Sequence, residues 1–128
     1  MNNENIAVVR EMWAQENSLA NDRISWFTTI QGLLFASLAL SADNPELKLT
    51  CLLAIAGIGV SVLTEISLIM GVKAKYKIRK WYEENSKDYT GPPLVGYIPK
   101  SFSVLGYFSP TNLLPILFVF LWSVILFR

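Results

Sequence analysis

Residues 49–72 read LTCLLAIAGIGVSVLTEISLIMGV, and this stretch decides the fold. Its roughly 24 residues are apolar or small, except for the carboxylate Glu65. A helix of that length rises about 36 Å, which is enough to cross the roughly 30 Å hydrocarbon core of a bilayer with some tilt. No proline or turn cluster follows directly. We therefore predict one helical element over residues 47–86, whose second part lies beyond the membrane.

A second apolar run, ISWFTTIQGLLFASLALS, covers residues 24–41. The preceding residues 6–20 carry apolar side chains at helical spacing among charged ones, and no proline or glycine separates the two segments. The pattern predicts an amphipathic helix that continues into a first span over residues 4–42. Asp43, Asn44 and Pro45 then break the helix. The two long elements are expected to form an antiparallel hairpin.

The remainder of the chain predicts a loop and a third helix. Residues 87–110 are rich in Gly, Pro and aromatic residues and are expected to form a cytoplasmic loop. The run LLPILFVFLWSVILF follows at residues 113–127, with Asn112 as the expected helix cap and Pro115 in the first turn. We predict a short third span over residues 111–128. The predicted fold is an all-α membrane protein: a long antiparallel helical hairpin with cytoplasmic extensions, plus a short third transmembrane helix.

Composition agrees with a lipid environment and excludes several classes of function. Apolar residues make up 52% of the chain and charged ones only 16%, against about 25% in an average soluble domain. A net charge of +1 argues against nucleic-acid binding, which needs clustered cations. The chain has no histidine, and Cys51 is its only cysteine. We expect no catalytic residues, no metal site and no cofactor.

The distribution of lysine and arginine predicts the orientation. Cytoplasmic segments of membrane proteins carry an excess of these residues. Placing the N-terminus and the segment after the second span inside leaves only Lys48 and Arg128 outside. The inner residues are then Arg10, Arg23, Lys73, Lys75, Lys77, Arg79, Lys80, Lys87 and Lys100. The predicted location is the bacterial inner membrane, as a multi-pass protein with its N-terminus in the cytoplasm and its C-terminus outside.

Equal rise along both helices of the hairpin predicts which residues lie at the same depth. Residues whose numbers sum to about 89 should be level, so that Arg23 lies beside Ile66, one residue from Glu65. An ionisable residue within a span is costly and indicates a functional site by default. Two interpretations of an Arg23–Glu65 pair stay open. The pair could lock the register of the hairpin, or Glu65 could act in transport or gating.

Small residues line one face of each predicted span. Gly57 and Ser61 lie one turn apart on the second span, and Gly32 and Ala36 lie one turn apart on the first. Such rows allow helix backbones to approach closely in lipid. We expect Gly32, Ala36 and Gly57 to pack the hairpin. The alternative is that Gln31, Ser37 and Ser61 face a second copy of the chain or a water-filled path.

The two cytoplasmic extensions are expected to form a stalk. The depth rule brings acidic residues of the first helix close to basic residues of the second, and it sets Trp13 near Tyr76. The basic run 73–80 has a rival explanation in attraction to anionic lipid headgroups. Aromatic residues of the stalk and loop are the candidates for binding a soluble or membrane partner, namely Trp81, Tyr82, Tyr97 and Tyr107.

A resemblance is carried by residues 16–27, ENSLANDRISWF, together with residues 31–36, QGLLFA. Their E…N.R..W…Q..LF.A pattern resembles the beginning of the first span in small uncharacterised bacterial multi-pass membrane proteins. The overall architecture is also similar to the two-span membrane effectors of nucleotide-signalled phage defence. That likeness implies helices that extend into the cytoplasm, oligomerisation and disruption of the membrane. The third span and the aromatic loop are departures from it.

These observations lead to two functional expectations from different classes. The first is a non-enzymatic protein that self-associates as a homo-oligomer in the lipid bilayer and changes its permeability, as an antiviral defence effector would. The alternative is a membrane anchor or adaptor subunit whose cytoplasmic stalk and loop bind a partner. A small transporter would need oligomers, because one chain offers too few helices.

Overall fold

The computed structural model describes residues 3–41, 47–87, 90–92, 94 and 108–127. Three helices form this part of the chain: α1 over Asn3–Leu40, α2 over Leu47–Asn85 and α3 over Pro110–Leu126. The described residues contain no β-strand. The all-α expectation is therefore confirmed. The predicted turn at residues 43–45 and most of the 87–110 loop lie outside the described residues.

The first two helices continue without a break from apolar into polar sequence. The backbone of α1 is helical over 38 residues and that of α2 over 39. Since neither sequence contains a proline, each residue after the first turn can donate its backbone N–H to the preceding turn. Packing of α2 on both α1 and α3 makes it the central element of the fold.

The third helix begins earlier than the sequence suggested. Ser109 is its N-cap residue, and the backbone N–H of Asn112 bonds to the Ser109 carbonyl oxygen at 2.9 Å. Pro110 occupies the first turn, where its missing N–H costs nothing. Asn112 is thus a buried helical residue and not the cap. Pro115 lies inside the helix and is also buried.

One of the described helices is long and apolar enough to cross a membrane, on length and composition alone. It is Lys48–Asn85, with a mean hydropathy of 2.1 in its most apolar window. Helix α3 is apolar but shorter, with a rise of only about 25 Å. The apolar half of α1 is diluted by Thr28, Thr29 and Gln31. Its crossing of the membrane, and that of α3, stay predictions.

Candidate functional site

A buried network of polar side chains joins all three helices at the level of Gln31. The Gln31 Nε2 amide of α1 donates to Ser61 Oγ at 2.9 Å and to the Gly57 carbonyl oxygen at 3.2 Å, both on α2. The Trp122 indole Nε1–H of α3 donates to Gln31 Oε1 at 2.7 Å. Ser61 Oγ donates in turn to the Gly57 carbonyl oxygen at 2.7 Å. Each buried donor therefore has an acceptor, as polar groups removed from water require.

Aromatic rings of α1 and α3 hold Trp122 in place. Phe35 stacks on the Trp122 ring with centroids 4.4 Å apart and planes at 22°. One turn towards the N-terminus of α3, Phe118 meets Phe27 edge-to-face at 5.3 Å. Offset and edge-to-face geometries are the favourable ones for aromatic pairs. Because these contacts advance in the same direction along α1 and α3, the two helices run parallel.

Gly57 provides the space that the Trp122 ring occupies. A Cβ atom added at Gly57 would lie 2.6 Å from Trp122 Cδ1 and closer still to two further ring atoms. Any larger residue would therefore push α3 away from α2. Gly57 is a packing residue, as small residues in membrane helices often are. Its partner is the α3 indole and not the small residues of α1.

Gly32 and Ala36 do not pack the hairpin, which corrects the expectation for both. Each is exposed, and a Cβ added at Gly32 would meet nothing within 4 Å. The depth rule placed Gly32 level with Gly57, but level residues touch only if they also share a face. At this level the α1–α2 contact is made by the neighbouring Gln31. Gly32 and Ala36 therefore belong to an outer surface.

The structure does not bring Arg23 and Glu65 together in an ion pair. Arg23 Nη1 donates instead to the Ser67 carbonyl oxygen, at 3.4 Å. The Glu65 side chain is half-buried, and its Oε2 atom is buried without a hydrogen-bond partner among the described residues. The depth rule was satisfied, since 23 and 67 sum to 90, but the two side chains point to different neighbours. Glu65 thus keeps an unused acceptor.

Charged groups converge where α1 and α2 leave the apolar segments. A Cβ added at Gly71 would lie 3.0 Å from Arg23 Nη1 and 3.6 Å from Glu16 Oε2, so both side chains reach the α2 backbone there. Lys75 follows one turn later. Burial lowers the pKa of the Lys75 ammonium, the Glu16 carboxylate opposes this effect, and Arg23 adds to it. The depth rule sets Glu16 near Lys73, but Lys73 is exposed, and the Glu16 carboxylate acts on Lys75 instead.

The end of the stalk has a hydrophobic core of its own. Ile6 and Val9 of α1 pack with Tyr82 of α2 and with Leu94, and Trp13 and Ile78 cover this cluster. The Arg10 guanidinium donates to the Pro92 carbonyl oxygen. The segment after α2 therefore packs back onto the stalk. Tyr76, which was expected beside Trp13, is exposed. The Arg79 guanidinium lies over the Tyr76 ring, 5.5 Å from the ring centre.

An apolar groove of about 460 Å³ runs along the outside of this stalk. Among its apolar residues, Val8 is 54% exposed, Met12 47% and Trp81 38%. Asn5 and Lys77 are its polar residues. The full lining consists of Asn5, Val8, Val9, Met12, Lys77, Ile78 and Trp81. The groove is an open surface that both long helices form together.

The four aromatic candidates for partner binding lie in different environments or outside the described residues. Trp81 lies in the wall of the groove, and its ring is available to a partner. Tyr82 is buried in the stalk core and is structural. Tyr97 and Tyr107 lie outside the described residues. Sequence reasoning overlooked Trp122, although a signal was present: an indole N–H in an apolar segment needs an acceptor, and Gln31 offers one.

Within the described part of the chain, no group of three or more His, Cys, Asp or Glu residues could hold a metal ion. Cys51 is a free thiol. The features with functional potential are therefore the buried network, the half-buried Glu65 and the stalk groove. Comparisons with protein-family models, curated proteins and solved structures find no match to this chain.

Proposed function

We propose that this chain is a non-enzymatic membrane adaptor: a three-helix anchor whose stalk binds a protein partner on the cytoplasmic side. In this proposal α1, α2 and α3 each cross the inner membrane of a bacterium, with the N-terminus inside and the C-terminus outside. The observation that carries the proposal is the apolar groove at residues 8–12 and 77–81. It is an exposed apolar surface where lipid does not reach.

The surfaces of all three helices support an anchor in lipid. Large apolar side chains are exposed on each helix at the level of the buried network, for example Leu33 on α1, Leu63 on α2 and Phe120 on α3. A soluble monomer rarely exposes a continuous apolar patch of this size. Lipid is the environment in which such a surface is stable. The lysine and arginine residues around the stalk favour the cytoplasm for that end.

The buried polar groups support an anchoring role for the bundle. Gln31, Ser61 and Trp122 use their hydrogen-bonding groups on one another. They are therefore not free to line a water-filled path within one copy of the chain. In lipid, hydrogen bonds between helices stabilise association by about 0.6 kcal/mol on average. The network thus holds the anchor together and fixes the direction in which the stalk projects.

The position of the groove favours a protein rather than lipid as its occupant. The apolar segments of α1 and α2 end at Ile24 and Val72. Measured along α2, helical rise places Trp81 about 14 Å beyond the hydrocarbon core, and Met12, which the depth rule sets level with Lys77, about 8 Å beyond it. The headgroup region adds only about 5–8 Å on each side of that core. The groove therefore projects into the aqueous phase, where a protein surface is the available cover.

Photocrosslinking in the native membrane tests this function. A photoreactive phenylalanine analogue replaces Met12 in the groove, and the control carries it at Ala14, which is exposed but does not line the groove. We expect a discrete crosslinked protein from position 12 that is absent from position 14. The second substitution Val8→Glu should abolish it. Identical products from both positions, or none from position 12, would contradict the adaptor function.

A second function, self-association with a change in membrane permeability, is favoured by Glu65. Its buried Oε2 atom lacks a described partner, and a carboxylate at this depth needs a partner, water or an ion. In this second proposal another copy of the chain supplies that partner at the level of Glu65. Ion flux through liposomes containing the purified protein tests this function. Flux that falls in Glu65→Gln supports it, and sealed liposomes contradict it.

A further inference from the structure

We propose that the occupant of the stalk groove is an amphipathic α-helix of a partner protein, with an acidic side chain placed opposite Lys77. The inference rests on the adaptor function and adds the chemical class of the partner. The shape of the groove, the identity of its lining residues and the charge in its wall all favour such a helix.

The shape of the groove suits a helix. Two antiparallel helices in contact leave a furrow along each side, and a third helix fills such a furrow in a bundle. Within the anchor, α3 packs beside α1 and α2 in this way. The Phe27–Phe118 contact sets its register, so helical rise brings its first residue only to about the level of Leu19. Helix α3 therefore begins short of the groove, so that α1 and α2 alone border it among the described helices.

The lining of the groove specifies the apolar face of that helix. Val8, Val9 and Met12 of α1 recur every three to four residues and form one wall, while Ile78 and Trp81 of α2 form the other. A ligand helix would place apolar residues at the same spacing against them. Trp81 is the expected anchor, because a large, partly exposed aromatic residue contributes strongly to binding. The flexible Met12 can adapt to the shape of the incoming side chains.

Lys77, the charged residue in the groove wall, predicts the charge of the facing polar residues on the partner helix. Lys77 is exposed and forms no ion pair with a described residue, whereas Arg79 and Lys80 pair within α2 with Glu83 and Glu84. None of the residues that line the groove is acidic. An acidic residue of the partner would therefore meet an unneutralised cation. Such complementarity selects partners and speeds their encounter.

The same charge disfavours a second copy of the chain as the occupant. In a symmetric dimer each groove would contact the equivalent groove, since the same patch is used on both subunits. That arrangement would bring one Lys77 close to the other, and like charges at an interface are repelled. Stalk grooves of identical copies are therefore poor partners for each other.

A binding experiment with three synthetic peptides tests the inference on the full-length protein in nanodiscs. The peptides share one leucine-rich helical face, and their polar residues are Glu, Gln or Lys. Fluorescence anisotropy measures the affinity of each. We expect the Glu peptide to bind most tightly. The Lys77→Glu variant should weaken the Glu peptide roughly tenfold and strengthen the Lys peptide. The charge reversal removes an attractive pair and adds a repulsive one, and each exposed pair changes affinity by up to about fivefold.

Two control variants separate the groove from general electrostatics. Lys80→Glu makes the same change in net charge outside the lining and should leave the order of the three affinities unchanged. Val8→Glu should weaken the Glu and Gln peptides, whereas Ala7→Glu, on the same helix outside the lining, should not.

The outcomes distinguish this inference from the adaptor function. If all three peptides bind equally and Val8→Glu abolishes their binding, the proposed acidic residue of the partner is wrong, but the groove is still a binding surface. If no peptide binds although Met12 crosslinks a partner protein, the helical class is wrong. If no peptide binds and Met12 crosslinks only lipid or another copy of this chain, both proposals are wrong.

Discussion

Gly57 is the residue at which a missing side chain lets a third helix join the first two. The indole of Trp122 lies where its Cβ would be, and the same indole donates a hydrogen bond to Gln31. The close approach and the hydrogen bond therefore depend on each other. A larger residue at 57 would displace the ring, and the side-chain Oε1 atom of Gln31 would lose its donor. This small contact sets the position of α3.

The substitution Gly57→Ala is expected to destabilise the protein by about 1–3 kcal/mol, because overpacking forces the neighbouring ring or helix to move. The matched control is Gly59→Ala, on the same helix, where an added Cβ meets nothing within 4 Å. Its effect should be neutral or slightly stabilising, since alanine favours a helix over glycine by about 1 kcal/mol. Reversible unfolding in mixed micelles measures both. Equal effects at the two positions would refute the proposed role of Gly57.

The hydrogen bond between Trp122 and Gln31 predicts that their substitutions are coupled. Gln31→Leu leaves a buried indole N–H without an acceptor, and Trp122→Phe removes that donor. The double variant should therefore lose about 1 kcal/mol less than the sum of the two single losses. The unfolding free energies of the four proteins give this coupling. Phe120 is exposed on the same helix, so the stability losses of Gln31→Leu and Phe120→Leu should add. A similar coupling between these two substitutions would exclude a specific Trp122–Gln31 bond.

At the scale of the helices, local sequence patterns predicted much more than the contacts between helices. Long unbroken runs with helical periodicity gave α1 and α2, because helix formation depends on neighbours along the chain. Equal rise gave the relative depth, and the Gln31–Ser61 and Arg23–Ser67 bonds follow that rule. Rise does not give the direction in which a side chain points around the helix. The Arg23–Glu65 pairing and the packing of Gly32 were wrong for that reason.

The contact between α1 and α2 outside the apolar segments should respond to pH through Lys75. Burial lowers the Lys75 pKa in the folded protein below its ordinary value of 10.5, so the unfolded chain holds this proton more tightly. The free energy of unfolding therefore increases as pH rises through the folded-state pKa towards 10.5. Below both pKa values, Lys75 is protonated in both states and this component is absent.

The variant Lys75→Met keeps the apolar stem of the side chain and should remove this component. Unfolding of the wild type and the variant between about pH 8 and pH 11 measures the difference. Lys73→Met, at an exposed position, is the matched control and should retain the wild-type pH dependence. A Lys75→Met protein with an unchanged pH profile would show that burial of the ammonium has no energetic weight.

At the scale of the whole molecule, two kinds of exposed apolar surface need different explanations. The first surrounds the buried network on all three helices and suits lipid. The second is the stalk groove, which in the proposed topology extends beyond the reach of lipid and suits a protein. Both assignments depend on the same arrangement, in which the three apolar segments cross one bilayer and the stalk projects from a single side. Both assignments therefore require this topology.

Labelling of single cysteines tests that topology most directly. In a Cys51→Ala background, single cysteines are introduced at three exposed positions. They are Ala14→Cys in the stalk, Lys48→Cys at the beginning of α2 and Phe127→Cys at the end of α3. A membrane-impermeant maleimide is applied to right-side-out and inverted vesicles. We predict that positions 48 and 127 react in right-side-out vesicles and position 14 only in inverted ones. Labelling of positions 14 and 127 from the same side would contradict the three-span anchor.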